Sequence, residues 1–126
     1  MNLTSKKINF KRINNLVSGG AGFLGSHLID KLLAKGENVL CIDNFSTGKT
    51  DNIIHLKNNS NFFFIQHDVI QPFKSEIPID KIWHLACPAS PYQYQKDPLR
   101  TIRINYEGTF NILNLAKDFK SKLLFT

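Results

Sequence analysis

Cysteine is nearly absent from this 126-residue chain: only Cys41 and Cys87 occur, both inside apolar stretches. Two such thiols in a chain without a secretory leader exclude a disulfide framework and read as reduced, intracellular side chains. Long hydrophobic runs are also missing. No stretch approaches the roughly 18 consecutive apolar residues that a membrane span needs, and residues Met1 to Phe10 are polar and basic rather than a secretion signal. The sequons Asn2-Leu3-Thr4 and Asn58-Asn59-Ser60 are therefore read as chance matches, and a cytoplasmic protein without membrane contact is expected. Acidic residues are scarce, 10 against 16 Lys and Arg, giving a formal net charge of +6. Part of that excess sits in a basic leader over 1–12 (Lys6, Lys7, Lys11, Arg12). Beyond it the basic residues are scattered, with no aromatic interleaving on a repeated face. That argues against nucleic acid and for a solvated surface with anionic small ligands. No metal site is expected.

What is present is an alternation of apolar strands and amphipathic helices. Asn15 to Ser18 is a short apolar run ending directly in glycines. Phe23, Leu24, His27, Leu28, Leu32 and Leu33 follow at three- and four-residue spacing, with Gly36 closing a predicted helix. Asn38 to Asp43, Asn61 to His67 and Lys81 to Ala86 read as further buried strands, and Asn44 to Asn59 as a polar stretch with at most a short helix near Asp51 to Leu56. One long helix is predicted from about Pro98 to Phe119, and Lys122 to Thr126 opens a fifth strand. Strands alternating with helices mean βαβ units, so the expected fold is α/β, a Rossmann-type doubly wound parallel sheet truncated at the fifth strand. Residues 13–126 are expected to be an incomplete domain of this kind, its C-terminal half and substrate domain absent.

Chemistry concentrates where the first strand meets its helix. Gly19-Gly20-Ala21-Gly22-Phe23-Leu24-Gly25 satisfies both G-x-x-G-x-x-G and G-x-G-x-x-G. Glycine is needed there because the turn takes unusual backbone angles, a pyrophosphate must approach the backbone, and the helix packs closely on the sheet. Free N–H groups at the helix start then hold phosphate without a charged side chain. A tight βα turn with no ligand is the competing reading. Asp43 closes the second strand 18 residues after Gly25, where a carboxylate accepts hydrogen bonds from the adenosine ribose and repels a 2′-phosphate. NAD is thus favoured over NADP. Asp68 takes the equivalent place after the third strand, towards the adenine amino group. His84-Leu85-Ala86-Cys87 ends the fourth strand, at the switch point where the nicotinamide end should lie.

Two other patterns carry less. Phe45-Ser46-Thr47-Gly48-Lys49-Thr50 resembles the end of a P-loop, but Asp43 stands where its first glycine belongs. Tyr92 and Lys96 match the Tyr-x-x-x-Lys spacing of a catalytic pair, yet they lie in a stretch flanked by Pro91 and Pro98 that reads as a loop after the fourth strand rather than a helix after the fifth. Tyr92 and Tyr94 remain candidates for the substrate entrance.

The segments VSGGAGFLGSHL, CIDNFSTGKTDNI, HDVIQPF, IWHLACPASPYQYQKDPLRTIRINYEGTFNIL and LLFT resemble the extended short-chain dehydrogenase/reductases, and more narrowly the UDP-glucuronate decarboxylase family. The glycine turn and Asp43 are shared across the superfamily; HLACPASP with DP-x-x-T-I is specific to the decarboxylase branch. The resemblance implies NAD-dependent conversion of UDP-glucuronate to UDP-xylose and carbon dioxide through a 4-keto intermediate, in a homodimer. It implies cofactor contacts at Gly19, Gly22, Phe23, Leu24, Gly25, Asp43, Asn44, Phe45, Thr47, Gly48, Asp68, Val69, Leu85 and Cys87. Substrate contacts carry over onto Arg103, Asn111 and Lys117. Ser18, Asn114 and Asp118 depart from the family pattern. The family's catalytic Tyr/Lys pair is expected beyond Thr126, so the isolated chain is expected to be inactive. Two alternatives stand beside this reading: another NAD-dependent nucleotide-sugar epimerase or 4,6-dehydratase, and a non-enzymatic nucleotide-binding fragment.

Overall fold

The computed structural model describes residues 7–126; the first sequon and Lys6 of the leader fall outside them. Five strands form one parallel sheet in the order β3-β2-β1-β4-β5. They are β1 (Ile13–Ser18), β2 (Val39–Asp43), β3 (Phe62–Gln66), β4 (Ile79–His84) and β5 (Lys122–Phe125). Helix α1 (Phe23–Ala34) joins β1 to β2, and two 3-10 turns (Thr50–Asn52, Ile54–Leu56) lie between β2 and β3. Between β4 and β5 come α2 (Pro91–Lys96), α3 (Pro98–Arg103), a π-turn (Ile104–Gly108) and α4 (Thr109–Phe119).

Both faces of the sheet are apolar, and the two-residue period of a strand divides the side chains between them. Leu16, Leu40, Ile42, Phe63 and Ile82 pack against Ile112, Leu115 and Ala116 of α4. Val17, Val39, Cys41, Phe62 and Phe64 pack against Ile29 and Leu32 of α1. Strands buried on both sides read as continuous hydrophobic runs, which is why the sequence marks them as parallel. The chain runs outward from β1 through β2 to β3, then returns to place β4 on the other side of β1. The crevice between the C-terminal ends of β1 and β4 is therefore the switch point of this sheet.

The structure changes four of the expected elements. Strand β1 begins at Ile13 and β4 at Ile79, because these two residues pair across the sheet; pairing, not apolar content alone, sets strand length. The long helix is interrupted by its π-turn, which changes which residues face the sheet. The stretch from Pro91 to Lys96 is helical rather than a loop. Pro91 and Pro98 each occupy the first turn of a helix, where a missing N–H is harmless and the fixed φ suits helical geometry. Asp97 caps α3 by accepting from the Arg100 N–H at 3.0 Å. The end of the basic leader also packs: Ile8 and Phe10 reach the α4-side core, with Phe10 edge-on to Phe63 at 4.8 Å.

One buried polar group ties β1, β4, α4 and β5 together. His84 is 2% exposed. Its Nδ1 shares a 2.6 Å hydrogen bond with the Ser18 hydroxyl, its Nε2 lies 3.4 Å from the Thr109 hydroxyl, and its ring stacks on Phe125. Burial disfavours the imidazolium and lowers the His84 pKa from 6.5 to about 4. The unfolded chain thus takes up this proton at higher pH than the folded one does. Stability from neutral His84 is complete above pH 6.5 and is lost as pH falls towards 4, by up to about 3 kcal/mol. Urea unfolding at pH 7 and pH 4 should show a larger loss for the wild-type chain than for His84→Gln. Equal losses would assign the acid sensitivity to other groups.

Candidate dinucleotide-binding site

The turn from β1 into α1 is shaped by close backbone approach. Gly19 has φ +75°, and a Cβ there would stand 2.8 Å from the backbone of Leu85 and Ala86. At Gly25 a Cβ would stand 2.3 Å from the Gly19 carbonyl oxygen. Gly22 precedes the first turn of α1, which has no side-chain cap and no acidic residue. The positive end of the helix dipole is therefore left for an anion.

Asp43 fastens this turn to the next loop. It is 7% exposed, its Oδ2 accepts from the Ala21 N–H at 3.0 Å, and its Oδ1 accepts from the Phe45 N–H at 2.7 Å. Burial raises the Asp43 pKa, while the amide donors of Phe45, Ala21 and Asn44 oppose the rise by stabilising the charge. Phe45 takes a left-handed φ of 58° and packs on Phe64. The loop then folds over the glycine turn: the Lys49 N–H and the Asn52 side chain both donate to the Ala21 carbonyl. Gly48 lies so close that a Cβ would meet Ala21 at 2.9 Å. A carboxylate has about four acceptor positions, so Asp43 keeps capacity for hydroxyl donors.

These elements border a cavity of about 420 Å³. Of the sequence-predicted cofactor residues, Gly19, Gly22, Phe23, Leu24, Gly25, Asp43, Asn44, Thr47, Val69, Leu85 and Cys87 line it. Phe45, Gly48 and Asp68 stand outside the lining. Phe45 and Gly48 shape the loop, and Asp68 pairs with Arg100 at 2.6 Å. The three residues expected to touch substrate are also outside it. Arg103 makes a two-pronged pair with Glu107, which raises its pKa through hydrogen bonding and charge. Asn111 donates to the Val69 carbonyl at 2.9 Å, and Lys117 lies in the last turn of α4. Tyr92 and Tyr94 do not line the cavity, but Gln93 between them does, with Ser90 and His67. Nothing in the spacing of Ser90 and Gln93 marks them as site residues, because a Pro-flanked stretch reads as a loop; Pro91 directly after Ser90 is the sign of a helix start.

The donor set fits a dinucleotide. An uncapped helix start suits an anion, a buried carboxylate with spare acceptor positions suits hydroxyl donors, and apolar Val69 and Leu85 offer surfaces for rings. Among the described residues there is no cluster of three or more His, Cys, Asp or Glu able to hold a metal, and no helix long and apolar enough to cross a membrane. Replacing Gly25 by Ala should force α1 off the turn. Overpacking of this kind destabilises by about 1–3 kcal/mol, read as a lower urea midpoint, together with loss of nucleotide binding. Unchanged stability would show that the turn yields without difficulty.

Comparison with known proteins agrees with this geometry. A family model described as GDP-mannose 4,6 dehydratase matches residues 16–126. UDP-glucuronic acid decarboxylase 1 of Arabidopsis thaliana is 50% identical over 119 residues, covering 94% of this chain and 27% of that protein. UDP-glucuronic acid decarboxylase 1 of Danio rerio is 48% identical over 114 residues, covering 90% of this chain and 26% of that protein. The chain thus spans about a quarter of the length of these curated relatives. A Thermus thermophilus UDP-glucose 4-epimerase solved in complex with NAD superposes with a TM-score of 0.72 at 30% identity, over 89% of this chain and 36% of that one. The chain belongs to the GDP-mannose 4,6 dehydratase family and, within it, resembles the UDP-glucuronic acid decarboxylases.

Proposed function

We propose that these residues form the NAD-binding part of a UDP-glucuronate decarboxylase, which converts UDP-glucuronate to UDP-xylose and carbon dioxide through a 4-keto sugar. The observation that carries the cofactor is the pairing of the uncapped, glycine-built start of α1 with the buried Asp43 carboxylate on one cavity wall. The substrate class rests on the 50% identity to decarboxylases and on HLACPASP, whose Leu85, Cys87, Pro88, Ala89 and Ser90 line the same cavity. In this reading NAD supplies hydride acceptance and return at the sugar C4. The chain's own residues bind and orient. The α1 amides receive the pyrophosphate, Asp43 receives the ribose hydroxyls and repels a 2′-phosphate, and Val69 and Leu85 exclude water from the rings. The proton-transfer pair is assigned outside these 126 residues, so on their own they should bind NAD without turning substrate over. Tyr92 and Lys96 are not given that role, since neither lines the cavity.

A homodimer is part of the same proposal. Leu99, Ile102, Tyr106, Phe110 and Leu113 are each at least half exposed along one helical path. Their spacing reads the same in both directions about Tyr106, so two copies packed antiparallel on a two-fold axis set apolar side chains opposite one another. An exposed stripe of this size on a soluble domain marks a contact surface.

Calorimetric titration should find NAD binding at least tenfold tighter than NADP. Asp43→Asn should weaken NAD by roughly tenfold or more, the scale of a charged hydrogen bond. Equal affinity for the two cofactors would remove the assignment. Incubation with NAD and UDP-glucuronate should release no carbon dioxide; turnover would restore Tyr92 and Lys96 as candidates. Sedimentation should give a dimer that Phe110→Asp converts to monomer, and a monomeric wild-type chain at high micromolar concentration would sink the dimer.

A further inference from the structure

We propose that Arg100, which does not itself line the cavity, is a positioning residue for the cofactor site, acting through Asp68 on the Asn44 side chain. The proposal rests on the NAD reading above. Asn44 borders the cavity immediately after Asp43, and both ends of its amide are engaged. Its Oδ1 accepts from the Ser46 N–H at 3.0 Å, and its Nδ2 donates to Asp68 Oδ2 at 3.1 Å. Only this orientation of the amide makes both bonds, since a flipped group would set a donor against the Ser46 N–H and an acceptor against a carboxylate. Asp68 and the Ser46 N–H together therefore fix the orientation of the amide that Asn44 presents to a ligand.

Asp68 in turn is held from two further sides. Its Oδ1 accepts from the Ile70 N–H at 3.1 Å, and its Oδ2 accepts from Arg100 Nη2 at 2.6 Å. Burial pushes the Asp68 pKa up, but the Ile70, Arg100 and Asn44 donors outweigh it, so the group is held as a carboxylate. With its side chain only 24% exposed, Asp68 has little water to replace the guanidinium. Without Arg100 the carboxylate gains by turning towards solvent, and Asn44 loses one of the two contacts that fix its amide. The same ion pair ties α3 to the loop that follows β3. Helix α3 follows directly on α2, whose Gln93 lines another part of the cavity. One charged contact thereby links two walls of the site.

The test measures NAD affinity and melting temperature for the wild-type chain, Arg100→Gln, Arg100→Lys, Asn44→Ala and the Arg100→Gln/Asn44→Ala double variant. Arg100→Gln should raise the NAD Kd roughly fivefold, in keeping with a partly exposed ion pair, while the melting temperature changes little. Arg100→Lys should recover most of the affinity, because a cation still faces Asp68. Arg100→Gln should add little in the Asn44→Ala background, since its effect is carried through the Asn44 amide. An Arg100→Gln chain that binds NAD like the wild type, or one whose loss multiplies independently with that of Asn44→Ala, overturns the positioning role. If Arg100→Gln melts substantially earlier, Asp68→Asn replaces it in the cycle, with the same criteria. A wild-type chain that binds no NAD overturns the cofactor reading and this proposal with it; normal wild-type binding with no Arg100 effect overturns this proposal alone.

Discussion

A carboxylate that is nearly out of water has to find N–H donors, and the upper edge of this sheet is arranged around that requirement at Asp43. Its two oxygens accept from Ala21 in the glycine turn and from Phe45 in the following loop. The turn after β1 and the loop after β2 are thereby fastened to one side chain. Breaking either bond would leave a buried charge short of donors, a situation that is destabilising by several kcal/mol. The left-handed backbone at Phe45, the close seat of Gly48 on Ala21, and the Asn52 bond to the Ala21 carbonyl all follow from laying the loop across the turn.

The second organising constraint is the shared edge of β1 and β4. Side by side, these strands bring Ser18 to His84 and the Gly19 backbone to that of Leu85 and Ala86. The floor of the cavity is thus two peptide segments with no room for side chains between them. His84 beneath it stays neutral through burial, so the floor holds a hydrogen-bonding ring without a charge. Opposite, the π-turn lets α4 press Gly108 against Val69, where a Cβ would come within 2.8 Å of the Val69 side chain, and lets Asn111 hold the Val69 carbonyl. Val69 is consequently fixed from the helix layer while its side chain borders the cavity.

Much of the fold and part of the site were legible in the sequence. The strands announced themselves because burial on both faces demands uninterrupted apolar runs, and the glycine turn because only glycine fits backbones this close. Asp43 was readable from its position at the end of the second strand. These features depend on contacts within one βαβ unit, so their spacing along the chain carries the information. Ser90 and Gln93 were missed because prolines that start helices look, in sequence, like prolines that break them. The place of Asp68 just after the third strand was readable as well, but its bonds to Arg100 and Asn44 were not.

The sequence by itself therefore determined the fold class, the glycine turn and the acidic group beside it, since short-range spacing and chain stereochemistry suffice for each. Only the tertiary structure decided which residues share the cavity, that Arg103 spends its guanidinium on Glu107, that Asn111 serves Val69, and that Arg100 closes on Asp68 across 32 residues of chain. Such pairings are set by strand order, by the register of β1 on β4, and by the one-residue offset of a π-turn. None of these leaves a local mark in the sequence, because each is fixed by how separate elements pack.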